Sequence, residues 1–535
     1  MKLDDKQRTA IEMLLADYNT TSSPGVVLAI GQGSDVLLHD CYGMANLDHD
    51  VAITQDTIFH VASVSKQFTA AAIALLVQDG QIDLDDPVSR YIGEFPDFDQ
   101  EVTIRHLAHH TSGLRDQWHL LALSGWRYSR DLISNADVMS MIAQQRDLNF
   151  APGSDHLYSN SGYTIMAEIV ARVSGMSFRE FTDKRIFNPL GMNQTFFRDN
   201  FREVVRHQAY GYVSAGGGYE SCVTNFDTVG ATSLMTTPAD LLKWGANFSH
   251  RQVGGDVLNE HMLRRFTLSS GKTIDYAFGL RLSHDRGFDI YSHNGADAGY
   301  RANFVHVPHD DVTIALACNV PMAMEQVTGG VLDILYPDSA KVTGRTIVPE
   351  AIMMSPAEVR QFEGQFVNPG HQSAITMISL RGMLQAQFMD NEISLIPISS
   401  HRFLDQENGI EGEFTDDLAT FTIVKGAPQP VEFKRTPVSA PTDEELQSVT
   451  GLYASEELAV RYEITLSDNN ELLLSYLKNS NKKMKAVTKD VFSCAVGTVY
   501  IQRDETTAVS GFLLSTGRIR NLAFHRLCDR SRSPS

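Results

Sequence analysis

Three short patterns hold the residues whose chemistry could be coupled. Ser63 and Lys66 stand at the head of TIFHVASVSKQFTAAAIALLVQDG, residues 57–80. Their spacing puts a hydroxyl and an ammonium side by side on one helical face. A helix N-terminus adds backbone N–H groups and a partial positive charge that stabilise a developing oxyanion. A buried lysine loses its proton more readily, and once neutral it can take the serine's proton. The chemistry on offer is nucleophilic acyl transfer. Ser-x-x-Lys is not distinctive by itself, because it recurs at Ser269/Lys272, Ser475/Lys478 and Ser480/Lys483. None of those opens a buried helix, whereas serine is also an ordinary helix N-cap.

The second pattern is Tyr158-Ser159-Asn160, in the loop-like stretch FAPGSDHLYSNSGY. Of the 17 tyrosines only Tyr158 has Asn two residues on. Its plain reading is a packed tyrosine ahead of a helix N-terminus. The third is His293-Asn294-Gly295, the only His-x-Gly among 18 histidines. A lone strand histidine is ordinarily a satisfied core or edge residue.

The elements that must position these groups follow from periodicity. Phe68 to Val77 is apolar on nearly every face, so its helix is buried on nearly every face, with Gly80 as the stop. Residues 1–19 read as an amphipathic surface helix. The runs 26–30 and 36–43 form a hairpin by their Gly31, Gly33 and Asp35 loop chemistry. Residues 83–99 are an acidic, Pro-punctuated loop. Thr103 caps a short helix ending at Gly113. His106, His109 and His110 in that helix lack a partner Cys or carboxylate at ligand spacing, so packing and capping are their expected roles and no metal is called for. Helical patterns dominate 114–200. Residues 214–233 are glycine-rich and loop-like, and Thr237 opens another helix. From 276 the period changes to strands: YAFGLRL, FDIYSHNG, YRANFVHV and VTIALACNV.

Composition bounds the function. The chain has 535 residues, 43% of them hydrophobic and 21% charged, a balance suited to large buried cores. A formal net charge of −20 argues against nucleic acid or an anionic membrane as partner. The five cysteines, at 41, 222, 318, 494 and 528, form no C-x-x-C pair, so neither a disulfide framework nor a zinc site is indicated. With no continuous apolar leader at the N-terminus and no run of membrane-spanning length, the expected location is the cytoplasm.

Together the three patterns resemble the penicillin-recognising serine hydrolases: class C β-lactamases, DD-peptidases and the related esterases and D-aminopeptidases. Their order matches at Ser63–Lys66, Tyr158–Asn160 and His293–Gly295, and RHLAHHTSGL and AGYRANF are also similar to the family. The resemblance covers roughly residues 20–335. It implies an α+β fold, with an antiparallel sheet made from both ends of that segment, helices on both faces and an all-α region. It also implies roles. Ser63 is the nucleophile, and neutral Lys66 or ionised Tyr158 removes its proton. Asn160 fixes Lys66, and His293, replacing the family lysine, supplies polarity or a proton near Tyr158. The backbone N–H groups of Ser63 and Ala296 form the oxyanion hole, and Asn294 and Gly295 line the substrate. Asn294 departs from the usual threonine and so lacks a hydroxyl often used to bind a substrate carboxylate.

Residues 336–357 carry three prolines and read as a linker. A repeat follows: FEGQF at 362–366 answers VTGLY at 449–453, and VEFKRT at 431–436 answers NLAFHRL at 521–527. Two small antiparallel β-barrels fit this, with packed interiors. The expected domains are 1–336, 355–437 and 443–530. YLKNSNKKMKAV, at 476–487, reads as a basic loop. The layout, with SVSKQFT and SGLRDQW, resembles the bacterial D-aminopeptidases. That implies an acyl-enzyme hydrolase of small molecules or short peptides, without cofactor, and allows a homodimer. The competing readings are an esterase or weak β-lactamase, and a non-catalytic penicillin-binding sensor.

Overall fold

The computed structural model describes residues 1–337 except 129, and 351–527 except 371, 389–390, 406–409, 426–429 and 438–440. Most of the expected linker, Cys528 and the centre of the stretch dividing the barrels lie outside them. The chain forms two compact units that interleave in sequence. One comprises Met1–Gly113, Arg127–Ala143 and Phe150–Arg345; the other comprises Leu114–Trp126, Gln144–Asn149 and Thr346–Ser535.

The first unit is built on a six-stranded antiparallel sheet. From one edge its strands are Arg281–Asp285, Phe288–Asp297, Tyr300–Val307, Val312–Cys318, Val26–Gln32 and Asp35–Tyr42. Early and late strands meet at the pair Val26↔Cys318, so both ends of the segment make one sheet. On one face Val26, Leu28, Ile30, Ile314 and Leu316 pack with Ile11 of the Asp5–Leu14 helix and Val331 of the Met324–Leu335 helix. On the other face the Pro238–His250 helix lies so close that a Cβ at Gly245 would meet Thr313. Trp244 of that helix donates its indole N–H to Gln67 at 3.0 Å, tying it to the Lys66–Gln78 helix.

That last helix is buried as its composition demands. From Thr57 to Leu76 every residue is buried except Ser63. Each large apolar side chain so placed is worth about 1.5–3 kcal/mol of transfer free energy. Thr103 caps the Ile104–Ala108 helix, and its own N–H bonds His106 Nδ1 at 3.2 Å. His109 is held to the Arg105 carbonyl at 2.9 Å. One expected strand is shortened: pairing begins only at Arg281, because Ala277 N bonds the Leu280 carbonyl in a turn through Gly279 at φ 76°. A Cβ there would lie 2.7 Å from the Lys66 carbonyl, so the turn exists to let the backbone approach the central helix.

The second unit holds two closed eight-stranded antiparallel barrels, Gly364–Thr436 and Gly451–Arg526. The repeat has a structural cause. Each barrel follows a side-chain-capped helix, Pro356–Arg360 or Asp443–Val449. Each opens on a glycine at positive φ, Gly364 at 153° and Gly451 at 148°. An arginine at or next to the end of each last strand, Arg435 or Arg526, reaches the carbonyl just before that glycine. The first interior is packed with Phe362, Phe366, Phe403, Phe414, Phe421 and Phe433. In the second, Tyr453, Tyr462, Phe512 and Phe524 are buried and in ring contact.

Residues 476–487 are not the loop expected. Asn479–Thr488 is a strand, and the turn is the dipeptide Leu477-Lys478, closed by the pair Tyr476↔Asn479. Asn479, Ser480 and Asn481 resemble turn residues, but a register shift and Asn481 at φ 55° absorb them within the ladder.

Candidate active site

Ser63 stands in a single turn of 3₁₀ helix, Ala62–Ser65, running directly into the Lys66–Gln78 helix. Ala62 is held at φ 48°, a conformation unfavourable for a residue with a Cβ and concentrated at functional sites. The turn is fixed on both sides. Val61 N bonds the Leu234 carbonyl at 3.1 Å, and Leu234 N returns a bond to Ser65 Oγ at 3.1 Å. On the other side a Cβ at Gly295 would stand 2.2 Å from the Val61 carbonyl oxygen, so only glycine lets the strand lie this close.

Lys66 is fully buried. Its Nζ donates to Ser63 Oγ at 3.0 Å, to Asn160 Oδ1 at 2.9 Å and to the Ala231 carbonyl at 2.7 Å, and it sits 4.9 Å from the Tyr158 ring centroid. Asn160 is the first residue of the Asn160–Ser174 helix, and Ser159 N donates to His110 Nδ1 at 3.1 Å. The His110 ring lies 4.1 Å from the Tyr158 ring. The HLAHHTSGL segment therefore supports the second pattern.

His293 is buried 6.3 Å, ring to ring, from Tyr158. Burial, reinforced by the Lys66 charge, pulls its pKa down to about 3, so the imidazole is neutral. Nδ1 lies 2.6 Å from the Asn294 carbonyl and donates to it; Nε2 accepts from Tyr276 O–H at 2.9 Å. Both ring nitrogens are thus engaged.

Ser63, Lys66, Tyr158, Asn160 and His293 therefore meet. Asn294 does not join them through its side chain, which is exposed and donates to Glu325 Oε1 at 2.5 Å. Ala296 lies on the stretch His293–Asp297, which the neighbouring strand leaves uncovered after Ser292. Its neighbour Gly295 lies against Val61, the residue that leads into the Ala62–Ser65 turn.

Three contributors were not legible in the sequence. Tyr276 donates its hydroxyl to His293 Nε2 once the Asn294 carbonyl has fixed the tautomer. The Gly230–Ser233 segment, which reads only as glycine-rich loop, supplies the Ala231 carbonyl and receives the Thr69 hydroxyl on Gly230 O at 2.7 Å. Asp297, two residues beyond Gly295, has its pKa raised to about 7 by burial, against the opposing charges of Lys66 and Arg301. Strand alternation from His293 was the one available signal for it.

The chain has relatives among known proteins. The family profile described as Beta-lactamase matches residues 10–328. The chain is 32% identical to penicillin-binding protein 4* of Bacillus subtilis over 314 residues, 55% of this chain and 67% of that protein. It is 27% identical to a D-aminopeptidase of Gluconobacter oxydans over 319 residues, 58% of this chain and 60% of that one. Among solved structures, the octameric penicillin-binding protein homologue from Pyrococcus abyssi shares the fold at a TM-score of 0.57 and 21% identity, covering 80% of this chain and 99% of that one. The D-amino acid amidase from Ochrobactrum anthropi SV3 does so at 0.53 and 22%, covering 62% and 99%. With the profile spanning more than half of its length and the serine–lysine centre opening its buried helix, the chain belongs to the beta-lactamase family of serine hydrolases.

Proposed function

We propose that the protein hydrolyses small amides and short peptides through an acyl-enzyme on Ser63, in the manner of a D-aminopeptidase. The observation that carries this reading is the 3.0 Å bond between Lys66 Nζ and the single accessible residue of the 57–76 segment, Ser63. The Ser63 proton passes to neutral Lys66 or to an ionised Tyr158 as Oγ bonds the acyl carbon. The carbonyl oxygen becomes an anion facing the N–H groups of Ser63 and Ala296, where one such donor is worth about 3–4 kcal/mol. The C–N bond then breaks and the amine leaves with the proton; water repeats the sequence and releases the acid. Asn160 holds Lys66 in place, neutral His293 lends a fixed dipole beside Tyr158, and Gly295 keeps Ala296 near the turn.

The D-aminopeptidase names among the relatives support an amide with a free amino end as substrate. The test is a panel of D- and L-aminoacyl p-nitroanilides, p-nitrophenyl esters and nitrocefin. Preferential turnover of the D-aminoacyl anilides is expected. Turnover of esters or nitrocefin alone would make the chain an esterase or weak β-lactamase, and labelling of Ser63 without turnover would make it a sensor.

A further inference from the structure

Asp297 ends the strand that carries His293 and Gly295, on the same side as both. Its Oδ2 accepts the Thr232 hydroxyl at 3.1 Å, and Thr232 follows Ala231, whose carbonyl holds Lys66. The direction of that bond is fixed from behind. Ala62 N donates to His60 Nδ1 at 3.3 Å, so the ring proton is on Nε2, 3.3 Å from Thr232 Oγ1. Nε2–H therefore donates to Thr232, whose own proton is left for Asp297. A half-buried carboxylate is thus oriented beside the nucleophile turn by a neutral chain that starts at the backbone of Ala62.

This carboxylate forms no salt bridge with a described residue. Arg301, the nearer guanidinium by strand pairing, commits Nη1 to the Ala298 and Tyr300 carbonyls at 3.0 and 2.7 Å. Lys66 bonds Ser63, Asn160 and Ala231. Of the other titratable groups around it, His60 is neutral, its pKa pulled to about 3 by burial. Tyr300 donates its hydroxyl to the Ala209 carbonyl, and the Tyr128 oxygen accepts from Ala298 N. A carboxylate losing solvation without a bonded cation is costly to keep charged.

The geometry points to Asp297 as the specificity residue that receives the cationic amino end of the acyl group. The arriving ammonium supplies the partner that the protein withholds, in a charge-assisted hydrogen bond. Burial keeps the empty site's carboxyl about half protonated near pH 7, so a cation binds with release of a proton. An N-acylated or neutral ligand gains nothing there. The inference rests on the acyl-transfer reading of the site but not on which bond is cleaved.

Its test uses the full chain as Ser63→Ala, which cannot turn over, and calorimetric titration with D-alaninamide and N-acetyl-D-alaninamide. D-alaninamide is expected to bind at least about tenfold more tightly, and the preference to vanish when Asp297→Asn is added. Equal binding of the two ligands, no binding of D-alaninamide, or a preference that survives Asp297→Asn overturns the assignment. Should the Asn variant not fold, the preference measured with Asp297 intact must rise between about pH 5.5 and about pH 7.5, as the carboxyl ionises while the ligand remains largely ammonium. A flat preference across that range is equally fatal. Because no turnover is needed, tight Asp297-dependent binding without cleavage of D-aminoacyl anilides would sink the peptidase reading and leave this one standing.

Discussion

Among the hydrogen-bond partners of buried Lys66 are three neutral oxygens, and one of them belongs to the only accessible residue of its segment. Ser63→Ala should therefore abolish labelling by an active-site phosphonate or a fluorescent penicillin, while Ser269→Ala, Ser475→Ala and Ser480→Ala leave it intact. Labelling that persists in Ser63→Ala would remove the nucleophile assignment. Tyr158 and His293 stack loosely around the same lysine, and His293 is polarised by Tyr276. Residues that act as one unit lose activity non-additively. The Tyr158→Phe/His293→Ala double variant should then be little slower than the worse single variant, by kcat/KM; multiplicative losses would show two independent roles.

At the scale of elements, the site depends on a strand lying against a turn. Gly295→Ala places a methyl 2.2 Å from the Val61 oxygen, a backbone atom that cannot swing aside. The strand or the turn must move, and a displacement near 1 Å at a reacting centre costs about 100-fold in rate. Comparable loss of kcat/KM is expected with circular dichroism unchanged; full activity would mean that the turn is softer than its packing indicates. In the other unit, Arg115 of SGLRDQW is fully buried against Glu457 of the second barrel, with Gln145 Oε1 also accepting at 3.1 Å. Glu457 further accepts Arg146 N at 2.8 Å. Removing one member of such a pair costs about 3–5 kcal/mol because the other charge stays buried. Arg115→Met should lower the unfolding midpoint of that unit more than Arg115→Met/Glu457→Gln does. Additive losses would show that the pair is not coupled.

For the whole molecule, the first unit carries an acid liability. Burial lowers the pKa of His60 and His293 to about 3, and of His106, His156 and His306 to about 4. The unfolded chain binds these protons near pH 6.5 and the folded one does not, so stability is full above that pH and falls as pH drops toward 4. Each histidine removes about 1.4 kcal/mol per pH unit in that window. Asp297 acts with the opposite sign, because its folded pKa of about 7 lies above the ordinary carboxylate value and protonation on acidification favours the folded form. The lowered histidines, which include also His39, His109 and His261, outnumber the raised carboxyls Asp297 and Asp183, so the balance is a net loss. Urea unfolding followed between about pH 7 and about pH 4.5 should show a steeply falling midpoint for this unit; a flat profile would mean that the histidines are hydrated when folded.

The sequence by itself determined the two features that rest on local pattern. The apolar run that makes a buried helix set Ser63 and Lys66 apart from the other Ser-x-x-Lys pairs, and the agreement in order with Tyr158–Asn160 and His293–Gly295 identified them. The matched segments 362–366 and 449–453, with a charged strand closing each repeat, foretold two copies of one barrel. Tertiary structure alone decided what depends on through-space partners. Asn294 was read from its motif position, but strand alternation and Glu325 turn its side chain elsewhere. The lysine-rich stretch at 476–487 carries turn-like residues, yet pairing with Leu472–Tyr476 makes it strand. Arg115 carries no local sign that a glutamate 342 positions away will meet it. Asp297 is one acid among 65 Asp and Glu until the fold half-buries it beside Thr232. Helical and strand periods are short-range and written in neighbouring residues, whereas burial and charge pairing exist only once distant segments have met.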